Sequence, residues 1–356
     1  MKIAFPTPRQ RDLLIGAAIV ALLFLGLFLN NRFYLDILIT SMYFSVIAAA
    51  WNIMCGFAGQ LSLGHVAFLG VGQYTSVLLF TRLGVTPWVG VFAGGLTAML
   101  LACFVGMLAL RLKGPFFALA TLALSTILQL LTIRFQNFTN GSSGITIPFQ
   151  PRFANIIFVS PKPYYIIFIV LLMFVLLMTI YMRYSRLGSN LIAIRENDLA
   201  ASTLGINLFK NKVIALMISA LFTSIAGSLY AQYTLFIDPV NSFSPVVSQK
   251  AAILSIIGGA GTIFGPILGG LLLTPIEIML RAWLGSTYQG AYLIIYGIIL
   301  IFVILVIPNG VVGTVSQSFR SKKSQRIESR ISASEDKSEE DDAAYNITDS
   351  VNRNEY

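Results

Sequence analysis

Long apolar runs, each about the length of a membrane crossing, alternate with short polar interruptions along most of this chain. A spanning helix needs about 20 mainly apolar residues, and by that measure segments near 13–29, 37–55, 66–81, 88–110, 115–133, 164–182, 213–235 and 290–307 are predicted spans. The stretch 245–283 is apolar enough for two passes, yet Gly258-Gly259-Ala260-Gly261-Thr262-Ile263-Phe264-Gly265-Pro266 falls in its middle. A regular helix is broken or sharply bent by such a run, so two helical pieces are expected there. The predicted fold is all-α and polytopic, with about ten membrane elements including broken or re-entrant segments.

One interruption stands apart. Gly56-Phe57-Ala58-Gly59-Gln60-Leu61-Ser62-Leu63-Gly64-His65 is uncharged apart from a histidine that is the only one in the chain. In lipid every backbone N–H and C=O must be satisfied, so a break in a helix is tolerable only inside a protein bundle or beside a water-filled path. Such a break exposes backbone N–H groups and a positive dipole end, suited to steering a carboxylate. Gly56, Gly59, Gln60, Ser62, Gly64 and His65, with Gly258, Gly259, Gly261 and Thr262 from the second break, are therefore the candidate substrate-pathway residues. Gly56 and Gly59 share their G-x-x-G spacing with Gly258 and Gly261, which hints at an internal repeat. Close helix packing is the competing explanation for these glycines.

Composition fixes the class. With 56% hydrophobic and 11% charged residues and a mean hydropathy of +0.79, the chain is a polytopic integral membrane protein. Lys2, Arg9 and Arg11 precede the first apolar run, but its downstream flank, Asn30-Asn31-Arg32-Phe33-Tyr34, lacks a small-residue cleavage pattern, so a retained first span is expected. Cys55 and Cys103 fall within predicted spans and behave there as small apolar residues, implying neither a disulfide framework nor a metal site. No cofactor is implied.

Lysine and arginine collect at the N-terminus, across 183–212 and after the last span, and short cytoplasmic loops carry such an excess. Six crossings separate the first two clusters and four the second from the third, provided 245–283 crosses twice. Both termini are then expected to be cytoplasmic, with residues 1–12 as a short N-terminus, 13–315 as the transmembrane domain and 316–356 as a hydrophilic, acidic tail predicted to be disordered. The net charge of +9 reflects topology and attraction to anionic lipid, not nucleic-acid binding. The 134–163 segment is the longest external loop and is turn-rich at Asn140-Gly141-Ser142-Ser143-Gly144.

The 183–212 loop reads as carrying a short helix, N-capped by Ser189 or Asn190, with Leu191, Ile194, Leu199 and Leu204 as its apolar face and Gly205 at its end. Leu199-Ala200-Ala201 followed by Gly205 has the spacing of the EAA motif that ABC importer permeases present to their ATPase. Leu199 replaces the usual glutamate of that motif, and Glu196 and Asp198 lie beside it. Arg195, Glu196, Asp198, Leu199, Ala200, Ala201 and Gly205 are the candidate coupling residues.

Over about residues 35–310 the chain resembles the LivM-type permease subunits of branched-chain amino-acid ABC importers. The resemblance rests on Gly59-Gln60-Leu61-Ser62-Leu63-Gly64-His65 with Phe68, Gly70 and Gly72, and on Gly114-Pro115-Phe116-Phe117-Ala118-Leu119-Ala120-Thr121-Leu122-Ala123. It continues through Asn140 to Gly144, Ser185-Arg186-Leu187-Gly188 leading into Ala193-Ile194-Arg195-Glu196-Asn197, and the second glycine-rich break. It implies a bacterial inner-membrane importer half that pairs with a homologous LivH-type permease, two ATP-binding subunits and a periplasmic or extracellular solute-binding protein, importing leucine, isoleucine and valine. Urea and short-amide importers use permeases of similar pattern, so that substrate stays open, as does a stand-alone channel or ion-coupled carrier. The chain carries no G-x-x-x-x-G-K-[ST] phosphate loop and is read as a transport subunit, not an enzyme.

His65 and Ser62 do not make a hydrolase site, because the G-x-S-x-G context is missing. The expectation is a histidine bonded to backbone carbonyls at the helix break. Glu277 and Arg281, spaced i to i+4, are expected to pair with each other, with a substrate path marked by membrane charges as the alternative, and Lys250 to snorkel to the membrane interface.

Overall fold

The computed structural model describes residues 16–312 except 18, 20, 22, 113, 286–289 and 307–309. The expected N-terminus 1–12 and the 316–356 tail lie outside the described residues. Eight helices among the described residues are long and apolar enough to cross a membrane. The first predicted span is helical at its described positions from Gly16 to Phe24 and closes in a 3-10 turn, Leu25–Phe28.

Helix α1 (Arg32–Asn52) starts at Asn31, whose side chain accepts from Phe33 N. It continues into a wide π-turn, Ile53–Phe57. Helices α2 (His65–Leu83), α3 (Pro87–Ala109) and α4 (Pro115–Arg134) follow. Pro87 and Pro115 open α3 and α4, where a missing N–H costs nothing. Helix α5 (Lys162–Tyr184) leads into the 185–207 loop and α8 (Leu208–Thr234) returns from it, with α6 (Arg186–Glu196) and α7 (Asp198–Thr203) between. The 245–283 region is two pieces, as the sequence predicts: α9 (Pro245–Gly259) and α10 (Gly265–Leu284), followed by α11 (Ala291–Val306). At 15 residues α9 is shorter than a full crossing.

Small side chains decide which helices touch. Gly72 on α2 lies against Ser224 on α8, and Gly90 and Gly94 on α3 lie against Ser76 and Gly72 on α2, the close backbone approach that small residues permit between membrane helices. On the other side, Ser45 of α1 donates to Ile267 O of α10 at 3.1 Å where Gly270 leaves room for it.

The 135–161 segment is more ordered than a turn-rich loop. Its strand β1 (Ile145–Thr146) pairs antiparallel with β2 (Phe236–Ile237), just after α8. Ile145, Ile147, Ile157, Ile237 and Phe243 then bury together against Tyr74 and Val77 of α2. The bundle thus has a lobe end, capped by this ribbon, and a loop end, formed by residues 185–207.

Candidate functional site

The two glycine-rich breaks meet at the loop end. Asn52, fully buried on the last turn of α1, donates from Nδ2 to Thr262 O at 2.9 Å. Its Oδ1 accepts from Gly261 N at 2.8 Å. Side-chain amides offer a donor and an acceptor side by side, so a single residue satisfies two backbone groups of the second break. Gly56 backs onto the same place: a β-carbon there would collide with Asn52 Oδ1 and lie 2.5 Å from Gly261 N. The two G-x-x-G pieces are in direct contact.

Arg195, at the end of α6, closes the assembly. Its Nη1 donates to Gly56 O at 2.7 Å, while Nη2 and Nε donate to Glu196 Oε1 at 2.6 and 3.2 Å. A β-carbon on Gly261 would lie 2.6 Å from the same Nη1, and one on Gly59 2.9 Å from Arg195 Cγ. One loop side chain therefore touches both breaks.

The rest of the first break is held from inside. Trp51 Nε1 donates to Ser62 O at 2.6 Å, and Leu63 N donates to Thr121 Oγ1 at 3.2 Å, so the 114–123 sequence docks on the 59–65 sequence. Gly64 leaves no gap against Thr121 O. Gly59 and Leu61 form the exposed tip, with Gln60 half-buried between them. His65 is completely buried. Its partners are hydroxyls, not the expected carbonyls: Nδ1 to Ser62 Oγ at 2.8 Å and Nε2 to Ser219 Oγ at 2.7 Å. Ser219 spends its own proton on Ala50 O at 2.5 Å, so Nε2–H donates to Ser219 and a neutral ring accepts at Nδ1 from Ser62. The histidine ties α1, α2 and α8 together. The helix N-terminal N–H groups are likewise taken by protein hydroxyls: Val66 N by Ser248 at 2.9 Å and Gly265 N by Thr262 Oγ1 at 3.0 Å.

The loop departs from the expected single helix. Ser185, not Ser189 or Asn190, caps α6, accepting from Gly188 N. Asn197 breaks the chain and caps α7, accepting from Leu199 N and Ala200 N. Because the break rotates α7, the expected apolar face divides: Leu191 and Ile194 are buried, whereas Leu199 and Leu204 are 76% and 79% exposed. Ala201 is buried and Gly205 ends the loop helix with φ +79°. Both neighbouring carboxylates already have partners, Glu196 in Arg195 and Asp198 in Lys212 Nζ at 3.0 Å.

In a third place, residues that the sequence singled out separately come together. A cavity of about 650 Å³ lies toward the lobe end, bounded by α1, α2, α8, α9 and α10 and by the β2 turn, with Gln73, Asp238, Lys250, Glu277 and Arg281 on its wall. Lys250 does not snorkel. It pairs with Glu277 Oε2 at 2.7 Å and lies 3.7 Å from the centre of the Phe44 ring. Glu277 therefore pairs across helices and not with Arg281. The i to i+4 spacing was the visible signal; the cross-helix partner, 27 residues away in sequence, had none.

A bundle of spanning helices, with two broken helices joined at one end and a polar cavity toward the other, is the architecture of a membrane permease. The family described as "Branched-chain amino acid transport system / permease component" matches residues 33–304, and the chain belongs to it. It is a transport subunit and a multi-pass membrane protein. It is 28% identical over 289 residues to the high-affinity branched-chain amino acid transport system permease protein LivM of Escherichia coli, covering 74% of this chain and 68% of that protein. It is also 28% identical over 289 residues to the corresponding LivH of Salmonella typhimurium, covering 76% and 91%. A chain of PsaBC from Streptococcus pneumoniae, solved in complex with a Fab, aligns over 80% of this chain and 95% of its own with a TM-score of 0.44 and 14% identity.

Proposed function

We infer that this chain is one permease half of a bacterial ATP-driven importer for branched-chain amino acids, working with a homologous permease, two ATP-binding subunits and an external solute-binding protein. The observation that carries the reading is the family match across 33–304; LivM- and LivH-named relatives align along most of it.

The loop geometry supplies a mechanism. Exposed Leu199 and Leu204 offer the ATPase an apolar grip on α7, and Leu191 and Ile194 anchor α6 in the bundle. Movement of the ATPase is passed through α6 to Arg195. Withdrawing its guanidinium frees Gly56 O and the space beside Gly261, while Asn52 keeps its hold on Gly261 and Thr262. The candidate pathway residues then act as the cytoplasmic gate of an alternating-access cycle. Tight packing at Gly56, Gly64 and Gly258 supports a closed gate in this conformation.

The test is purification of the tagged chain from its native membrane in mild detergent, identification of what accompanies it, and assay of ATP hydrolysis with its binding protein loaded with leucine or with urea. A co-purifying permease and ATPase, with stimulation by the leucine-loaded protein, is the expected result. Stimulation by urea alone moves the chain to the amide importers, and transport by a single polypeptide without ATP overturns the ABC assignment.

A further inference from the structure

The geometry points to the 650 Å³ cavity at the lobe end as a site for a zwitterionic amino acid, with Arg281 holding its carboxylate and Glu277 with Gln73 holding its ammonium. This deepens the transport reading and rests on it.

Charges inside a membrane bundle are costly and mark substrate paths when they are not fully used by the fold. Four charged side chains line this cavity, the cations Lys250 and Arg281 and the carboxylates Asp238 and Glu277, so its formal charge is balanced. The fold uses some of this capacity. Lys250 takes Glu277 Oε2, and Asp238 accepts from Asn241 N and Nδ2 at 2.9 and 2.7 Å. Two groups are left over. Arg281 is exposed, lines this cavity and a neighbouring one beside Gly285 and Tyr292, and has no side-chain hydrogen-bond or ion-pair partner among the described residues. Gln73 is only 6% exposed, yet its Oε1 also lacks a partner there. One is a guanidinium suited to bidentate carboxylate binding; the other is an acceptor suited to an ammonium.

Glu277 completes the pair. Lys250 lies 2.7 Å from Oε2, and Oε1 has no ion-pair partner among the described residues. Glu277 and Arg281 are one turn apart on α10, where Cβ atoms stand about 5–6 Å from each other, a span that the two charged ends of an α-amino acid can bridge. Phe44, Leu69, Val246 and Ile278 supply an apolar wall for a branched side chain. A neutral solute such as urea can hydrogen-bond to the guanidinium and the carboxylate but brings no charge of its own to either, so the pairing of two opposite charges favours the amino acid.

The test is saturation-transfer NMR on the purified, complete transporter without its binding protein, using L-leucine, 4-methylpentanoate, which lacks the ammonium, and 3-methylbutylamine, which lacks the carboxylate. Arg281 carries the test because its replacement breaks no bond in the fold, whereas Glu277→Gln strands Lys250; monodisperse elution of each variant complex controls for folding. A charged hydrogen bond of this kind gives a loss of about tenfold or more in leucine binding for Arg281→Gln, recovered in large part by Arg281→Lys, and weaker signals from both truncated analogues. Equal leucine signals from wild type and Arg281→Gln, or equal signals from leucine and the analogues, overturn the site. ATP-driven leucine uptake by the wild type, measured alongside, separates the two levels: uptake with an unchanged Arg281→Gln signal sinks the site alone, and its absence sinks the transport reading together with the site.

Discussion

Asn52 and Arg195 are small parts of the chain that tie its two breaks together, and they do so differently. Asn52 is buried and satisfies two backbone groups at once, so Asn52→Ala leaves Thr262 O and Gly261 N without partners. Each unsatisfied buried group costs about 1–3 kcal/mol, and the expected outcome is a lower thermal unfolding midpoint of the purified complex together with poor membrane abundance. Arg195 is different because its side chain is 36% exposed and already shared with Glu196. Arg195→Ala leaves Gly56 O without its side-chain partner, but the space vacated by a part-exposed side chain lets water take that place. Its expected effect is on coupling: ATP hydrolysis without loaded binding protein rises, and leucine taken up per phosphate released falls by about tenfold, the scale of one charged hydrogen bond. An unchanged uptake-to-hydrolysis ratio in proteoliposomes counts against the latch.

At the level of elements, the loop separates what can be read in a sequence from what cannot. Gly205 was legible as a stop, and its φ of +79° bears that out, because glycine alone enters this region without strain. The apolar face was legible only in part. Leu191, Ile194, Leu199 and Leu204 suit one helix on paper, but Asn197 hydrogen-bonds its own downstream N–H groups and starts a second helix, an option that propensity leaves open. The two breaks were legible as breaks because glycine runs in apolar sequence have few other meanings. Their contact through Asn52 was not, since 209 residues separate Asn52 from Gly261. The Lys250 partner was missed for the same reason, as local spacing favours i to i+4 pairs and is blind to neighbouring helices. Exposure on α7 makes its own prediction. Leu199→Glu with Leu204→Glu keeps the fold, as neither side chain is buried, and loss of the ATPase from the purified complex is the expected result. Gly205→Val meets no neighbour, since nothing lies within 4 Å of a β-carbon there. It acts through backbone strain of about 1–3 kcal/mol, and reduced uptake with the ATPase still bound is expected.

Across the whole molecule the polar features fall in series along the bundle. The charged cavity lies toward the lobe end; below it His65, Ser62, Ser219 and Ser248 knit α1, α2, α8 and α9; last come the two breaks and Arg195. Of the three levels only the last touches the loop proposed to receive the ATPase. This order is functional only if the loop end is cytoplasmic, which the lysine and arginine excess predicts and which accessibility can measure. Val159 near the lobe and Leu204 in the loop are 68% and 79% exposed, so either accepts a cysteine without disturbing packing. With Cys55 and Cys103 replaced by alanine, a membrane-impermeant maleimide applied to intact spheroplasts should label Val159→Cys, and should reach Leu204→Cys only after permeabilisation. The reverse pattern would put the loop outside, where no ATP-binding subunit could dock, and would remove the drive from the gate while leaving the cavity and its charges unaltered.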